Sequence, residues 1–282
     1  MTRPCLAIST ICKASRGHIR ERSSYGNPVD EFSERVAVVT GAARGLGAAY
    51  ARALAERGAA VSVLDVLADQ AEGVAEEIVS GGGRARAVET DVTDRNAFGA
   101  AVDATVREFG HVDILINNAG FGTTDQTHGV PWYEWPQEAW DKVVAVNMRG
   151  CFFGAQAVAP HMMERGWGRI INVSSATFWS PVAEAAHYVA AKGGVIGLTR
   201  ALSKGLGNHG VTVNTLVPGL TRTEQMDGMY PPEVFEQYAR MRAIQRDAHP
   251  KDIVGTLLYL CSTASDFVTG QAFIVDGGHI FD

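Results

Sequence analysis

The chain has 282 residues, 46% of them hydrophobic and 20% charged, which is enough apolar material for the core of a large α/β domain. A net charge of −6 excludes binding to nucleic acid or an anionic membrane through an overall positive charge of the protein. We predict neither as a partner. No apolar run approaches the roughly 20 residues of a membrane span. The four cysteines lack CxxC or metal-ligand spacing, which predicts free thiols, no metal site and a cytoplasmic protein.

The first 34 residues differ in composition from the rest of the chain. They are rich in serine and carry five basic residues before the first predicted strand: Arg3, Lys13, Arg16, Arg20 and Arg22. A basic, serine-rich start is also typical of targeting peptides, but no apolar signal-peptide region is present. We favour a flexible extension over residues 1–34, with targeting as the alternative.

From residue 35, Val-rich apolar runs alternate with segments of helical periodicity. The predicted strands cover 35–41, 59–65, 84–91, 112–120, 168–175, 211–219 and 270–278. The predicted helices cover 46–58, 67–83, 95–110, about 137–165, 186–207 and 250–262. This alternation predicts an α/β protein with a doubly wound parallel sheet of about seven strands and helices on both faces. We expect a single domain over 35–282, with a long insertion at about 221–249.

A glycine-rich segment, TGAARGLG at residues 40–47, joins the first predicted strand to the first helix. Gly41, Gly45 and Gly47 let the backbone turn tightly and approach a pyrophosphate without an intervening Cβ. The N-terminus of the helix that follows favours an anion. The segment therefore predicts a phosphate-binding loop, which would also contain Arg44 and Leu46. A glycine-rich turn that serves only packing is the alternative.

A tyrosine and a lysine lie four residues apart in AHYVAAKGG, residues 186–194. Positions i and i+4 share one face of a helix, so Lys192 is expected beside the phenol of Tyr188. An ammonium group favours the phenolate form, which makes the tyrosine a proton carrier near neutral pH. The alternative is an incidental pair on a surface helix.

The spacing TGxxxGxG at 40–47, followed by YxxxK at 188–192, resembles the compact, single-domain branch of the short-chain dehydrogenase/reductase family. Further motifs stand in the family's order across about 35–282: ETDVTD, NNAG, VNMRG, INVSS and VPGLTRT. The resemblance implies a Rossmann-like fold and a catalytic tetrad of Asn147, Ser175, Tyr188 and Lys192. Ser175 precedes Tyr188 by 13 residues, as the family's serine does, which favours it over the adjacent Ser174.

The resemblance implies a role for each member of the tetrad. Tyr188 is the general acid or base, Lys192 favours its phenolate and binds the nicotinamide ribose, and Ser175 holds the substrate oxygen. Asn147 interrupts its helix, and its backbone carbonyl holds a water molecule next to the lysine. His187, beside Tyr188, is expected on another face of the helix with a structural role.

The resemblance also implies contacts to a nicotinamide dinucleotide. Beyond the tetrad's Tyr188 and Lys192, these are expected at Gly41, Arg44, Gly45, Leu46, Gly47, Asp65, Asp91, Val92, Asn118, Ala119, Gly120, Pro218, Gly219, Thr221 and Thr223. A carboxylate such as Asp65 at the end of the second strand accepts hydrogen bonds from ribose hydroxyls and repels a 2′-phosphate. Arg44 gives the opposite signal, because a basic residue there sometimes holds that phosphate in the family. We expect NAD, with NADP as the alternative.

The substrate side is less constrained by the sequence. Candidate residues for an apolar pocket are Phe121, Phe178, Trp179, Met226, Met229 and Tyr230, with Trp132, Tyr133 and Trp135 at its mouth. The insertion at 221–249 is a candidate lid. Its arginines, Arg222, Arg240, Arg242 and Arg246, could meet a carboxylate, but we expect most of them to be solvated. Residues 166–188 are similar to family members that oxidise alcohols next to an aromatic ring, such as 1-phenylethanol dehydrogenases.

These patterns favour an NAD-dependent dehydrogenase of a hydrophobic or aromatic secondary alcohol. An NADP-dependent 3-ketoacyl reductase has the same tetrad and is the second enzyme hypothesis. A dinucleotide-binding sensor without catalysis is a hypothesis of another class. The resemblance also implies a homo-oligomer, a tetramer or dimer, with the helices at about 137–165 and 186–207 and the last strand at interfaces.

Overall fold

The computed structural model describes residues 31–122, 127 and 129–281. Of the expected extension at residues 1–34, residues 1–30 therefore lie outside the described residues. Phe32 is buried, and its backbone N–H donates a 2.8 Å hydrogen bond to the carbonyl oxygen of Arg57. This contact packs residues 31–34 against the folded part of the chain.

Seven parallel strands form one sheet in the order β3-β2-β1-β4-β5-β6-β7. They are β1 Val36–Thr40, β2 Ala60–Asp65, β3 Arg84–Glu89, β4 Ile114–Asn117, β5 Gly168–Val173, β6 Val211–Pro218 and β7 Ala272–Val275. In register, Val36 pairs with Ala60, and Ala37 with Ile114 on the other side of β1. The strand order reverses between β1 and β4, the point at which sheets of this kind bind ligands at their carboxyl edge.

Nine α-helices are present in the described part of the chain. They are α1 Gly45–Glu56, α2 Ala68–Ser80, α3 Arg95–Phe109, α4 Gln137–Val144, α5 Gly150–Arg165, α6 Ala186–Leu206, α7 Glu224–Met229, α8 Pro232–Met241 and α9 Pro250–Cys261. A π-helical segment, Ala145–Arg149, separates α4 from α5, so the helix predicted over about 137–165 is interrupted. The insertion at 221–249 is not plain loop, because it contains α7 and α8.

Alternate residues of the central strand enter two hydrophobic clusters on opposite faces of the sheet. Ala37 and Val39 pack in the cluster formed with α1, α2 and α9, and Val38 packs in the cluster formed with α3, α5 and α6. Each strand residue points to the face opposite its neighbour's, so a strand apolar throughout needs helices on both sides. The predicted doubly wound, single-domain α/β fold is confirmed.

The predicted strands all extend beyond the observed ones, and the difference is largest for β4 and β7. β4 ends at Asn117 because the N–H of Asn118 turns back to the carbonyl oxygen of Ile116, at 3.1 Å, and leaves the sheet. β7 is confined to Ala272–Val275. Gly270 and Gly277 flank it with φ of +73° and +74°, left-handed conformations that cannot continue a strand.

Candidate active site

The predicted phosphate loop lies between β1 and α1 and has no room for side chains at two glycines. Gly41 has φ of +62°, and a Cβ there would lie 2.7 Å from Cα of Ala119. A Cβ at Gly47 would overlap the carbonyl oxygen of Gly41. Gly45 also has a left-handed φ, of +59°. Close backbone packing around the loop therefore requires these glycines. The absence of a Cβ also lets a ligand approach the loop backbone closely.

The loop is attached to the end of β4 through Thr40 and Asn118. The Thr40 hydroxyl accepts hydrogen bonds from the N–H groups of Asn118 and Ala119, both at 3.0 Å. The Asn118 side-chain amide donates to the carbonyl oxygens of Thr40 and Gly41, at 3.0 and 3.1 Å. These bonds fix the NNAG turn against the loop. Thr40 was not singled out from the sequence, although it begins the TG motif.

Asp65 ends β2, and its carboxylate is held by two backbone groups. Oδ2 accepts from the N–H of Ala43 in the loop at 3.0 Å, and Oδ1 accepts from the N–H of Leu67 at 3.1 Å. Each carboxylate oxygen can accept a further hydrogen bond. The half-buried carboxylate thus faces the phosphate loop with acceptor capacity remaining for ribose hydroxyls.

The neighbouring cofactor candidates lie around the same edge of the sheet. Arg44 is exposed at the N-cap of α1 and provides no side-chain cap, which leaves the first N–H groups of this helix without a side-chain partner. Leu46 packs on the core. The exposed Asp91 accepts from the N–H and hydroxyl of Thr93, both at 2.8 Å, and Val92 is buried.

Asn147 lies in the π-helical segment and is fully buried. Its side-chain N–H group donates to the carbonyl oxygens of Phe121, at 2.9 Å, and Val143, at 3.0 Å. Its Oδ1 is buried without a hydrogen-bond partner among the described residues. Its backbone carbonyl oxygen accepts from the thiol of Cys151 at 3.4 Å. A π-helical turn is rare and is frequent at functional sites.

Lys192 reaches the carboxyl edge of the sheet from α6. Its ammonium donates a 2.8 Å hydrogen bond to the carbonyl oxygen of Val173, at the end of β5, and lies 5.6 Å from the centroid of the Tyr188 ring. Gly120 closes the other side: a Cβ there would lie 2.5 Å from Oδ1 of Asn147 and 3.3 Å from Nζ of Lys192. Asn147 and Lys192 therefore meet at Gly120 of the NNAG turn, and the Tyr188 ring lies next to Lys192.

The two serines after β5 have different environments. Ser174 is buried, and its hydroxyl donates to the backbone carbonyl oxygen of Lys192 at 2.8 Å. Ser175 is half-buried, and its Oγ accepts from the N–H of Thr177 at 3.3 Å and from its hydroxyl at 3.0 Å. Of these two serines, only Ser175 has a hydroxyl hydrogen without an acceptor among the described residues. Thr177 was missed from the sequence as its partner.

His187, adjacent to Tyr188, packs into the protein. Its ring lies 4.3 Å from that of Trp135 between centroids, and burial lowers the pKa of the imidazole. Trp135 in turn donates its indole N–H to the carbonyl oxygen of Val130 at 2.9 Å. Trp135, expected at the mouth of the pocket, is thus engaged in packing, whereas Trp132 and Tyr133 are exposed.

The segment after β6 returns the chain to the phosphate loop. Pro218 ends β6. Gly219 follows it and packs closely on Asp276, because a Cβ added at the glycine would lie 2.7 Å from the Cβ of Asp276. The hydroxyl of Thr221 donates to the carbonyl oxygen of Gly219 at 2.9 Å. The side chain of Thr223 lies 3.8 Å from the Cβ position of Gly45. Thr223 therefore lies next to the predicted phosphate loop, and Thr221 precedes it by two residues.

The candidate substrate residues come from three separate segments. Phe178 is exposed, packs edge-on to Trp179 with 4.9 Å between centroids, and covers Gly193 of α6. Met226 is half-buried in α7, and Met229 and Tyr230 are exposed at its end. Phe121 is fixed through its carbonyl oxygen by Asn147.

One of these residues, Tyr230, interacts with the tetrad. Burial raises the pKa of the Tyr230 phenol, and the charges of Tyr238 and Tyr188 raise it further. The charge of Tyr188 is thus one of the causes of this upward shift in the pKa of Tyr230.

One of the four arginines of the insertion is less solvated than expected. Arg242 is buried, and one of its NH groups donates to the carbonyl oxygen of Arg246 at 2.9 Å. Arg246 forms a two-pronged pair with Asp252, both contacts at 2.7 Å. Arg240 is 70% exposed. Arg242 is an exception to the expectation that most of these side chains are solvated, because its stem packs against Gly277.

The arrangement fits a dinucleotide. The loop packs too closely for a Cβ at two glycines, the first turn of α1 has unpaired donors, and a carboxylate stands at the end of β2. Within the described ranges, no group of three or more His, Cys, Asp or Glu side chains could hold a metal ion. No helix in that same part of the chain is long and apolar enough to cross a membrane.

A doubly wound sheet with this loop at its switch point, beside a helix that carries a Tyr–Lys pair, defines a dinucleotide-binding oxidoreductase. A family model described as enoyl-(acyl carrier protein) reductase matches residues 41–279. The chain belongs to the short-chain dehydrogenase/reductase family of enzymes, which use the nicotinamide cofactors NAD or NADP.

Relatives with named activities cover most of the chain. Cis-4-hydroxycyclohexanecarboxylate dehydrogenase of Sinomonas cyclohexanicum is 40% identical over 89% of this chain and 98% of its own. The (2S)-[(R)-hydroxy(phenyl)methyl]succinyl-CoA dehydrogenase subunit BbsD of Thauera aromatica is 38% identical over 88% and 97%. The solved structure of levodione reductase has a TM-score of 0.81 at 30% identity, covering 87% of this chain and 97% of that one.

Proposed function

We propose that this enzyme is an NAD-dependent dehydrogenase of secondary alcohols, with Tyr188 as the general acid or base. The observation that carries the proposal is the placement of the Lys192 ammonium, 5.6 Å from the Tyr188 ring and held by the Val173 carbonyl oxygen. A fixed positive charge beside the phenol favours the phenolate, which can remove the hydroxyl proton of an alcohol. When bound, NAD supplies the hydride acceptor.

The other two tetrad residues position the reactants. Ser175 has a hydroxyl hydrogen available to donate to the substrate oxygen as negative charge develops on it. Asn147 holds the Phe121 carbonyl oxygen and places its own unpaired Oδ1 beside Gly120. We assign to Asn147 the positioning of water that carries the proton onward from Lys192. In the reduction direction, Tyr188 returns the proton to the carbonyl oxygen.

The preference for NAD rests on Asp65. Its carboxylate is fixed between the N–H groups of Ala43 and Leu67, so it cannot easily move away from an incoming 2′-phosphate. Two negative charges at short range in a partly dry site repel strongly. Arg44, exposed on the loop, supports the alternative of NADP, since its positive charge would screen that phosphate.

The substrate class is proposed from the pocket candidates and the relatives. Phe121, Phe178, Trp179, Met226, Met229 and Tyr230 offer apolar and aromatic contacts, which favour a hydrophobic ring beside the carbinol carbon. Two relatives are named for substrates that carry a cyclohexane or phenyl ring. An NADP-dependent 3-ketoacyl reductase, which would use the same four residues, remains the second candidate. A dinucleotide-binding sensor is the candidate outside catalysis.

We further propose a cytoplasmic homo-oligomer, a tetramer or a dimer. Large apolar side chains are exposed on the helices and near the last strand that the sequence suggested as interfaces, among them Trp140, Phe152 and Phe267. Burying such groups in a symmetric interface would remove them from water. The molar mass in solution, measured by light scattering, tests the oligomer.

A screen of secondary alcohols with NAD⁺ and NADP⁺, followed by nicotinamide absorbance, tests the reaction. We expect turnover of cyclic or benzylic alcohols, with a higher kcat/KM for NAD⁺. Straight-chain 3-hydroxyacyl thioesters serve as the competing substrates. A preference for those thioesters with NADP⁺ would establish the second candidate instead. Nucleotide binding without turnover of any alcohol or ketone would favour the sensor.

A further inference from the structure

Arg222 makes an unusual set of contacts in the segment after β6. Its Nε donates to Oδ1 of Asp227 in α7 at 2.8 Å, and an NH group donates to Oδ2 of Asp247 at 3.0 Å. Its guanidinium carbon lies 4.4 Å from the ring centroid of Phe235 in α8, and that ring is buried. One side chain thus contacts the first helix of the insertion, the second helix and the segment that follows them.

The backbone around Arg222 is fixed to the same segment. Its N–H donates to the carbonyl oxygen of Ala248 at 2.8 Å, and Thr221 pairs with Ala248 as an isolated bridge. The hydroxyl of Thr223 accepts from the N–H of Met226 at 3.3 Å and caps α7. Arg222 therefore stands between two threonines predicted to contact the cofactor and the insertion that carries the candidate substrate residues.

The chemistry of these contacts requires arginine. A planar guanidinium can donate along two directions to separate carboxylates and still stack on an aromatic ring. A lysine ammonium carries the same charge at one atom, but it lacks the two-directional N–H donors and the planar surface of a guanidinium. Exposed ion pairs contribute little to global stability, so we expect these contacts to act on the position of the insertion.

We propose that Arg222 is a positioning residue that holds residues 224–248, here termed the lid, in register over the substrate site. The inference rests on the proposed function, since it assigns Met226, Met229 and Tyr230 of the lid to substrate contact. Loss of the guanidinium would let α7 and α8 move independently of the threonines. Substrate binding would weaken, while the tetrad, which Arg222 does not touch, would retain its chemistry.

The test compares Arg222→Gln with Arg240→Gln, a matched control that removes an arginine from the same lid. Arg240 is exposed in α8 and forms an ion pair with Glu236, at 3.7 Å. We expect Arg222→Gln to raise KM for the alcohol about tenfold, equivalent to about 1.4 kcal/mol, with kcat within about twofold. Arg222→Lys should restore part of the loss, and Arg240→Gln should change neither constant.

Hydrogen exchange across residues 224–241 provides a readout that does not need turnover. We expect faster exchange in Arg222→Gln than in the unsubstituted protein or Arg240→Gln, with the thermal midpoint nearly unchanged. Equal exchange in all three proteins, or an unaltered KM in Arg222→Gln, would overturn the proposal. If no alcohol is turned over, the proposed function fails while exchange still decides whether Arg222 holds the lid.

Discussion

The Ser174 hydroxyl donates a 2.8 Å hydrogen bond to the backbone carbonyl oxygen of Lys192. The bond ties the end of β5 to α6, so this serine serves the placement of the lysine. The hydroxyl oxygen of Ser175, the next residue, accepts instead from Thr177. The two adjacent serines of one motif therefore have different hydrogen-bond partners, and substitution tests whether their roles differ.

We expect Ser175→Ala to lower kcat by about 10²–10³, the cost of removing one donor to a developing oxyanion. Ser174→Ala should retain most of kcat and lose about 1 kcal/mol of unfolding free energy, because a buried hydrogen bond is lost. Steady-state kinetics and urea unfolding of both variants measure the two effects. A larger loss of kcat in Ser174→Ala than in Ser175→Ala would reverse the assignment.

Replacing Tyr188 with Phe removes the phenolic proton and leaves the ring. Turnover should fall by at least about 10²–10⁴, the usual contribution of a general acid or base. NADH binding, followed by its fluorescence, should change little because the ring still packs beside Lys192. Undiminished turnover in Tyr188→Phe would end the proposed mechanism.

Removal of the Asp65 carboxylate should relax the choice of cofactor. In Asp65→Ser, a hydroxyl can still accept a backbone N–H, but the negative charge that opposes a 2′-phosphate is gone. We expect the ratio of kcat/KM for NAD⁺ to that for NADP⁺ to fall about tenfold or more, which is about 1.4 kcal/mol. The same ratio in the unsubstituted enzyme is the reference. A ratio that does not change would remove Asp65 from cofactor selection.

A methyl group at position 120 should disturb the tetrad directly. The Cβ of Gly120→Ala would lie 2.5 Å from Asn147 Oδ1 and 3.3 Å from Lys192 Nζ, so one of these groups must move. We expect kcat to fall by about tenfold or more, because small misplacements of catalytic groups are costly. Gly122→Ala is the matched control, since no atom of the described residues, its chain neighbours aside, lies within 4 Å of its Cβ position. Equal activity of the two variants would contradict the close approach.

Cys151 should be chemically inert in the folded protein although it lies near Lys192. Burial raises the pKa of its thiol to about 11, and the lysine charge offsets only part of this effect. Very little thiolate is then present at pH 8, and the thiolate is the reactive form. Iodoacetamide should label Cys151 and the buried Cys261 only after unfolding, as read by peptide mass spectrometry. Rapid native labelling of Cys151 would show that the site opens.

Much of the fold follows from local patterns that the sequence displays openly. Val-rich runs between glycines indicated the seven strands, and their apolar character on both faces indicated helices on both sides. Boundaries were less accurate where a polar contact ends an element. β4 stops at Asn117, where the N–H of Asn118 turns back to Ile116 and also bonds to Thr40, a residue far away in the chain. Periodicity cannot report such a bond.

The sequence by itself determined the family, the parallel sheet and the residues proposed for catalysis, since short motifs with fixed spacing carry them. Tertiary structure decided which side chains meet across long separations: Asn147 with the Phe121 carbonyl oxygen, and Arg222 with Asp247. It also placed Arg242 in the interior. The reason is physical: spacing fixes which face of a helix or strand a residue occupies, whereas its partner there depends on how distant elements pack.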